Sequence, residues 1–194
     1  MNLPNILTVA RTVFTFIAAA LLCMDVRFFA LAAAVLYIIA GATDWFDGYI
    51  ARKYDMVTTF GKFMDALSDK IMVVTMFMTL FALGCFRQYV ILCLFCAVIS
   101  IAREFLVSGI RMIASKAGIV QAAEKLGKYK AGFQMYALGA IIAAQSLRVD
   151  FHAEGSILDM LLFYSGVVTL IISTVLSVIS GWTYTKRYWH LLKG

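Results

Sequence analysis

The chain has 194 residues, 63% of them hydrophobic and 14% charged, with a formal net charge of +6 and a mean hydropathy of +0.89. Soluble domains run nearer about 45–50% apolar and about 25% charged, and a chain this short cannot hide so much apolar surface in one water-facing core. An ordinary soluble domain is therefore excluded, and a charge this modest, which matters only through where it sits, gives no reason to expect a nucleic-acid partner.

Six apolar runs are long enough to cross a hydrocarbon core of about 30 Å, which takes about 20 helical residues. In chain order they are Ile6–Met24, Phe28–Ala51, Thr59–Gly84, Gln88–Ala114, Leu126–Leu147 and Ile157–Tyr184. Run length, and the need to satisfy every backbone polar group within the segment, make them helices rather than strands. The connections are short ("DVR", "KYDMV", "CFR", "SKAGIVQAAEK", "RVDFHAEGS"), with no repeat and no low-complexity tract. The expected fold is all-α: one polytopic membrane domain over residues 1–194, built as a bundle of six transmembrane helices. The N-terminus lacks the basic region and cleavage site of a signal peptide, so the first span is expected to stay in the mature protein.

Lys and Arg set the expected orientation. Arg11, Arg52, Lys53, Lys116, Lys125, Lys128, Lys130, Lys186, Arg187 and Lys193 fall on one side, and Arg27, Arg87 and Arg148 on the other. Positive charge collects on the cytoplasmic side, so both termini are expected there, with Trp182, Tyr184, Tyr188 and Trp189 as an interfacial belt. Cys23, Cys85, Cys93 and Cys96 lie in or at the ends of spans and read as space-filling residues; Cys93 and Cys96 form a C-x-x-C without a second pair nearby.

Against this apolar background one stretch is anomalous: "TDWFDGYIARKYDMVTTFGKFMDALSDK". Asp44 and Asp47 are i, i+3 near the end of the second span, and Asp65 and Asp69 are i, i+4 near the start of the third, so each pair shares a helix face. The short loop makes the two helices expected antiparallel neighbours. With a rise of about 1.5 Å per residue, Asp44 lies about 10 Å below the end of its helix and Asp69 about 15 Å below the start of its own. All four carboxylates can then meet at one level just inside the membrane surface. Each costs a few kcal/mol there, and mutual repulsion adds to that. Arg52 and Lys62 offset part of the charge, but a divalent cation fits better. Oxygen donors without His or Cys suit Mg²⁺, Mn²⁺ or Ca²⁺ and argue against zinc; His152 and His190 lie outside the spans. Gly41, Ala42, Gly48, Ala51 and Gly61 leave room for a ligand to approach the backbone. Metals held by carboxylates beside such a gap are suited to gripping and cleaving a pyrophosphate.

Asp44, Asp47, Gly48, Ala51, Arg52, Gly61, Asp65 and Asp69 together reproduce the pattern D-x-x-D-G-x-x-A-R-x8-G-x-x-x-D-x-x-x-D, and in this the chain resembles the CDP-alcohol phosphotransferases. "NLPNILTVAR", "AREFLVSGIR" and "LGKYKAGFQ" are similar to the phosphatidylglycerophosphate synthase subfamily, so the likeness runs from the first residues to the middle of the fifth span. The chain reads Asp65-Ala66-Leu67-Ser68-Asp69-Lys70 where the family commonly has D-P-L-A-D-K, and Ala131 where Thr commonly follows G-K-x-K. Neither departure removes a carboxylate or a basic group. The resemblance implies six transmembrane helices, a homodimer in the cell membrane and an active site open to the cytoplasmic leaflet.

The resemblance further implies transfer of the phosphatidyl group from CDP-diacylglycerol to glycerol 3-phosphate, with CMP leaving. Two divalent ions, Mg²⁺ or alternatively Mn²⁺, are expected on Asp44, Asp47, Asp65 and Asp69, and Gly48, Ala51, Arg52 and Gly61 would line the CDP moiety. Asp69 is the candidate general base toward the acceptor hydroxyl. For the acceptor phosphate, Arg103 and Arg111 stand eight apart in the fourth span, within about a quarter turn of each other, and Lys128 and Lys130 enter the fifth span from the same side. A cation cluster of this kind suits a phosphate-bearing acceptor, although such lysines also serve as topology determinants. Asn5, Thr8 and Arg11 either contribute from the first helix or cap it. The alternatives are the same chemistry with inositol phosphate, phosphatidylglycerol or serine, and, more remotely, an intramembrane prenyltransferase or a divalent-ion transporter. Prenyltransferases normally carry their acidic motifs farther apart in a longer bundle, and a transporter needs polar residues reaching the opposite face.

Overall fold

The computed structural model describes residues 3–53, 59–116 and 125–189, with side chains at 6–43, 61, 63–115 and 126–189. Six helices form: α1 (Leu3–Cys23), α2 (Phe29–Lys53), α3 (Thr59–Ala82), α4 (Val90–Lys116), α5 (Lys125–Asp150) and α6 (Ile157–Arg187). Each coincides with one apolar run of the sequence to within a few residues. A 3-10 turn at Arg87–Tyr89 leads into α4. Among the described residues, α1, α4 with its leading turn, and α6 are each long and apolar enough to cross a membrane. Together with the apolar exterior this makes the chain an all-α membrane protein.

Side chains are sorted inside-out relative to a soluble bundle. Ile38, Met78, Ile91 and Phe95 are each more than 60% exposed, an apolar outer surface that only lipid satisfies. Inside, Tyr37, Met76, Phe77, Leu80, Leu138, Ile141 and Leu170 pack with Ala18, Ala33, Ala40, Ala137 and Ala144. Small residues let the helix backbones approach where hydrophobicity cannot drive association.

Packing runs in a ring: α3 on α1, α1 on α2, α2 on α5, α5 on α6, α6 on α4, and α4 more lightly back on α3. The side chains of residues 44–53, the part of α2 expected to face α3, lie outside the described residues. Among the described residues, α2 and α3 each make their main contacts with α1. The physical reason is visible in α1. Thr8, Arg11, Thr12 and Thr15 form a polar stripe along it, and that stripe takes up the polar face of α3.

The end of the bundle away from most of the lysines is tied by acids. The backbone N–H groups of Phe28 and Leu31 donate to the Asp150 carboxylate, each at 2.7 Å, satisfying donors left open at the start of α2. Arg148 Nε donates to the buried Asp159 at 2.6 Å, and Ser156 caps α6 by accepting from the Asp159 backbone N–H. Lys186 and Arg187 close α6 at its other end, where cations complement the helix dipole.

Candidate active site

Asp65 and Asp69 occupy successive turns of α3, and both carboxylates face Arg11 of α1. Arg11 Nη1 donates to Asp69 Oδ1 at 2.5 Å and Nη2 to Asp65 Oδ1 at 3.3 Å. The arginine is fully buried, whereas the carboxylates are 51% and 54% exposed. The guanidinium therefore lies behind the acids, and their open sides face outward. Beside them Thr12 Oγ1 donates to Ser68 Oγ at 3.0 Å, and Ser68 Oγ donates to the Thr8 carbonyl at 3.4 Å. Ser68 stands at one of the two positions where the "DALSDK" segment departs from the family's usual residues, and its buried hydroxyl is matched by α1.

Arg11 is the residue beside the acidic pair that motif reading left without a role. The signal was present: Thr8, Arg11, Thr12 and Thr15 share one face of a helix that is otherwise apolar. Asp44, Asp47, Gly48, Ala51 and Arg52 lie on α2, but their side chains, like that of Lys62, are outside the described residues. Gly61 is partly buried in the first turn of α3. Among the residues whose side chains are described, no three His, Cys, Asp or Glu gather as a ligand set. Asp65 and Asp69 supply two hard oxygen donors at a half-open position, a chemistry that suits Mg²⁺ or Mn²⁺.

Among the described residues the expected acceptor cations make different contacts. Arg103 and Lys130 meet over one carboxylate, Glu104 of α4. Lys130 Nζ donates to Glu104 Oε1, and Arg103 Nη1 approaches the same oxygen at 3.4 Å. Arg103 Nη2 also donates to Ser180 Oγ of α6 at 2.9 Å. A Cβ on Gly181 would lie 3.0 Å from Arg103 Cγ, so the glycine gives the arginine its path along α6. Lys130 is only 3% exposed. Arg111, in contrast, sits over the Tyr184 ring at 5.7 Å. Lys128 is exposed and lines an apolar groove of about 700 Å³ between α5 and α6, with Phe133, Tyr136 and Val168. Two residues along a helix turn a side chain by about 200°, so Lys128 and Lys130 face different ways.

These features define an all-α membrane bundle with a half-open acidic pair on α3 and a buried cationic cluster where α4, α5 and α6 meet. A sequence model described as CDP-alcohol phosphatidyltransferase matches residues 1–182. The chain belongs to that family.

Among its curated relatives, the CDP-diacylglycerol--glycerol-3-phosphate 3-phosphatidyltransferase of Bacillus subtilis is 36% identical over 163 residues, covering 84% of this chain and 76% of that protein. The enzyme of the same name from Rickettsia typhi is 36% identical over 186 residues, covering 95% and 96%. A cardiolipin synthase (CMP-forming) from Oryza sativa is 29% identical over 200 residues, covering 99% of this chain and 59% of that protein.

Proposed function

We propose that the chain transfers the phosphatidyl group of CDP-diacylglycerol to glycerol 3-phosphate, giving phosphatidylglycerol phosphate and CMP. The observation that carries the reading is the eight-position acidic pattern, whose Asp65 and Asp69 sit half-exposed on α3 against Arg11. The names of the bacterial relatives support the acceptor. The acceptor hydroxyl oxygen attacks the phosphorus that bears diacylglycerol, its proton passes to Asp69, and the bond from that phosphorus to the bridging oxygen of CMP breaks. Arg11 balances the two carboxylates from behind and keeps Asp69 turned toward the open side. Gly48, Ala51, Arg52 and Gly61 would take the CDP moiety, and the acyl chains stay in the bilayer.

Asp44, Asp47, Asp65 and Asp69 would hold the two divalent ions, Mg²⁺ or Mn²⁺, which when bound neutralise charge on the pyrophosphate and leaving group. The lysine and arginine distribution supports a cell-membrane location with both termini and the site cytoplasmic. The family resemblance supports a homodimer.

The test is CMP release by purified protein from CDP-diacylglycerol, with glycerol 3-phosphate, phosphatidylglycerol, inositol phosphate or serine as acceptor. Turnover is expected with glycerol 3-phosphate, to stop on chelation and to return with Mg²⁺. Asp69→Asn is expected to be inactive. No turnover with glycerol 3-phosphate would overturn the acceptor assignment, and wild-type turnover by Asp69→Asn would remove the base. The match to the rice enzyme favours one second reading, phosphatidylglycerol as acceptor, which the same assay resolves.

A further inference from the structure

The cations of the proposed acceptor cluster come with an anion that the proposed reaction does not use. Glu104 is 30% exposed at its side chain, and its Oε1 is shared by Lys130 Nζ and Arg103 Nη1. These three residues come from two helices, α4 and α5, and Ser180 anchors the outer side of Arg103 from a third, α6. Lys130 is held at both ends, since its backbone carbonyl accepts from Ser173 Oγ at 3.0 Å. Arg103 Nε is buried and has no hydrogen-bond partner among the described residues, so the guanidinium retains donor capacity beyond its bonds to Glu104 and Ser180.

We propose that Glu104 is the positioning residue of the acceptor subsite: its carboxylate holds Lys130 and Arg103 side by side as one preformed cation pair that a phosphate monoester then meets. The inference rests on the proposed function for the identity of that phosphate. Two opposing effects decide the sign of its removal. A carboxylate competes with phosphate for the same cations, so its loss alone would strengthen anion binding. But Lys130 is almost completely buried, and a buried cation stripped of its counterion moves away or gives up its proton. The second effect dominates because desolvation of an unpaired buried charge exceeds the gain from a less crowded site.

The experiment measures kcat and both KM values for the full chain in lipid nanodiscs, with thermal unfolding alongside. Glu104→Gln is expected to raise KM for glycerol 3-phosphate roughly tenfold, the scale of losing a charged hydrogen bond, and to leave KM for CDP-diacylglycerol within about twofold. Glu104→Asp is expected to recover part of that loss. In combination with Lys130→Met, Glu104→Gln is expected to add little beyond Lys130→Met alone, because the two act as a unit. A lower acceptor KM in Glu104→Gln would show the carboxylate to be only a competitor and overturn the proposal. So would an equal rise in both KM values, or equal loss of folded protein in the Gln and Asp variants. If the wild-type chain turns over another acceptor instead, the proposed function fails and the same ratio is read with that acceptor, so the two failures remain distinct.

Discussion

Arg11 shows how a single side chain organises the acidic pair. A guanidinium is a planar fork that can serve two carboxylates at once, which an ammonium on a flexible stem cannot do with the same geometry. Arg11→Met keeps most of the volume but takes the guanidinium away from Asp65 and Asp69. Because those carboxylates are about half exposed, solvent softens the penalty, and a loss of about 1–3 kcal/mol is expected rather than the full cost of a deeply buried orphan charge. Arg11→Lys should recover part of the stability and less of the turnover. Thermal unfolding in detergent and CMP release check the two halves separately; an Arg11→Met protein with wild-type stability and turnover would refute this role. Cysteine chemistry is also a residue-scale matter. Burial pushes the Cys85 thiol up to about 11, with the charge of Arg148 opposing that rise. The reactive form is the thiolate, so at pH 7.5 maleimide should label the exposed Cys23 and spare Cys85, Cys93 and Cys96, which are buried. Mass mapping of the labelled sites decides it. This agrees with the reading of C-x-x-C as packing.

At the scale of helices, the sequence was most legible where one property ran unbroken. Apolar run length defined all six helices, because the membrane forces each crossing segment to satisfy its own backbone. Shared-face spacing brought out Asp65 and Asp69 for the same reason: i, i+4 is a property of one helix. What was not legible was contact between helices. Among the described residues α1 packs on both α2 and α3, and no spacing rule within α2 or α3 carries that information. Lys128 and Lys130 illustrate the same limit: both were read as acceptor residues, and the turn of α5 sends one into an apolar groove and the other to Glu104. The α5–α6 crossing itself hangs on Gly166. A Cβ there would stand 2.9 Å from Ile141 Cγ1 and 3.1 Å from the Ala137 carbonyl oxygen. Backbone cannot yield as a side-chain tip can, so Gly166→Val should force the helices apart. A destabilisation of about 1–3 kcal/mol is expected, as for overpacked cores, read by thermal unfolding against a wild-type control.

For the whole molecule, the deciding property is the unequal distribution of charge between its two ends. Arg27, Arg87 and Arg148 are the basic residues of one end; there Arg87 is paired with Glu154 and Arg148 with Asp159. That end carries its own counterions and presents little net positive charge to a membrane surface. The other end holds the remaining lysines and arginines, and its acids are concentrated in the candidate site. The proposed orientation sets that end on the cytoplasmic side by the positive-inside bias, where a water-soluble phosphate acceptor would reach Lys130 and Asp69. Cys23 closes α1 at the balanced end, while Ser115, exposed near the end of α4, marks the basic one. In right-side-out membrane vesicles an impermeant maleimide should therefore label native Cys23 from outside. In a Cys23→Ser, Ser115→Cys protein it should label only after permeabilisation. Labelling in the reverse order would invert the bundle and place the acidic pair on the face from which a cytoplasmic acceptor cannot approach.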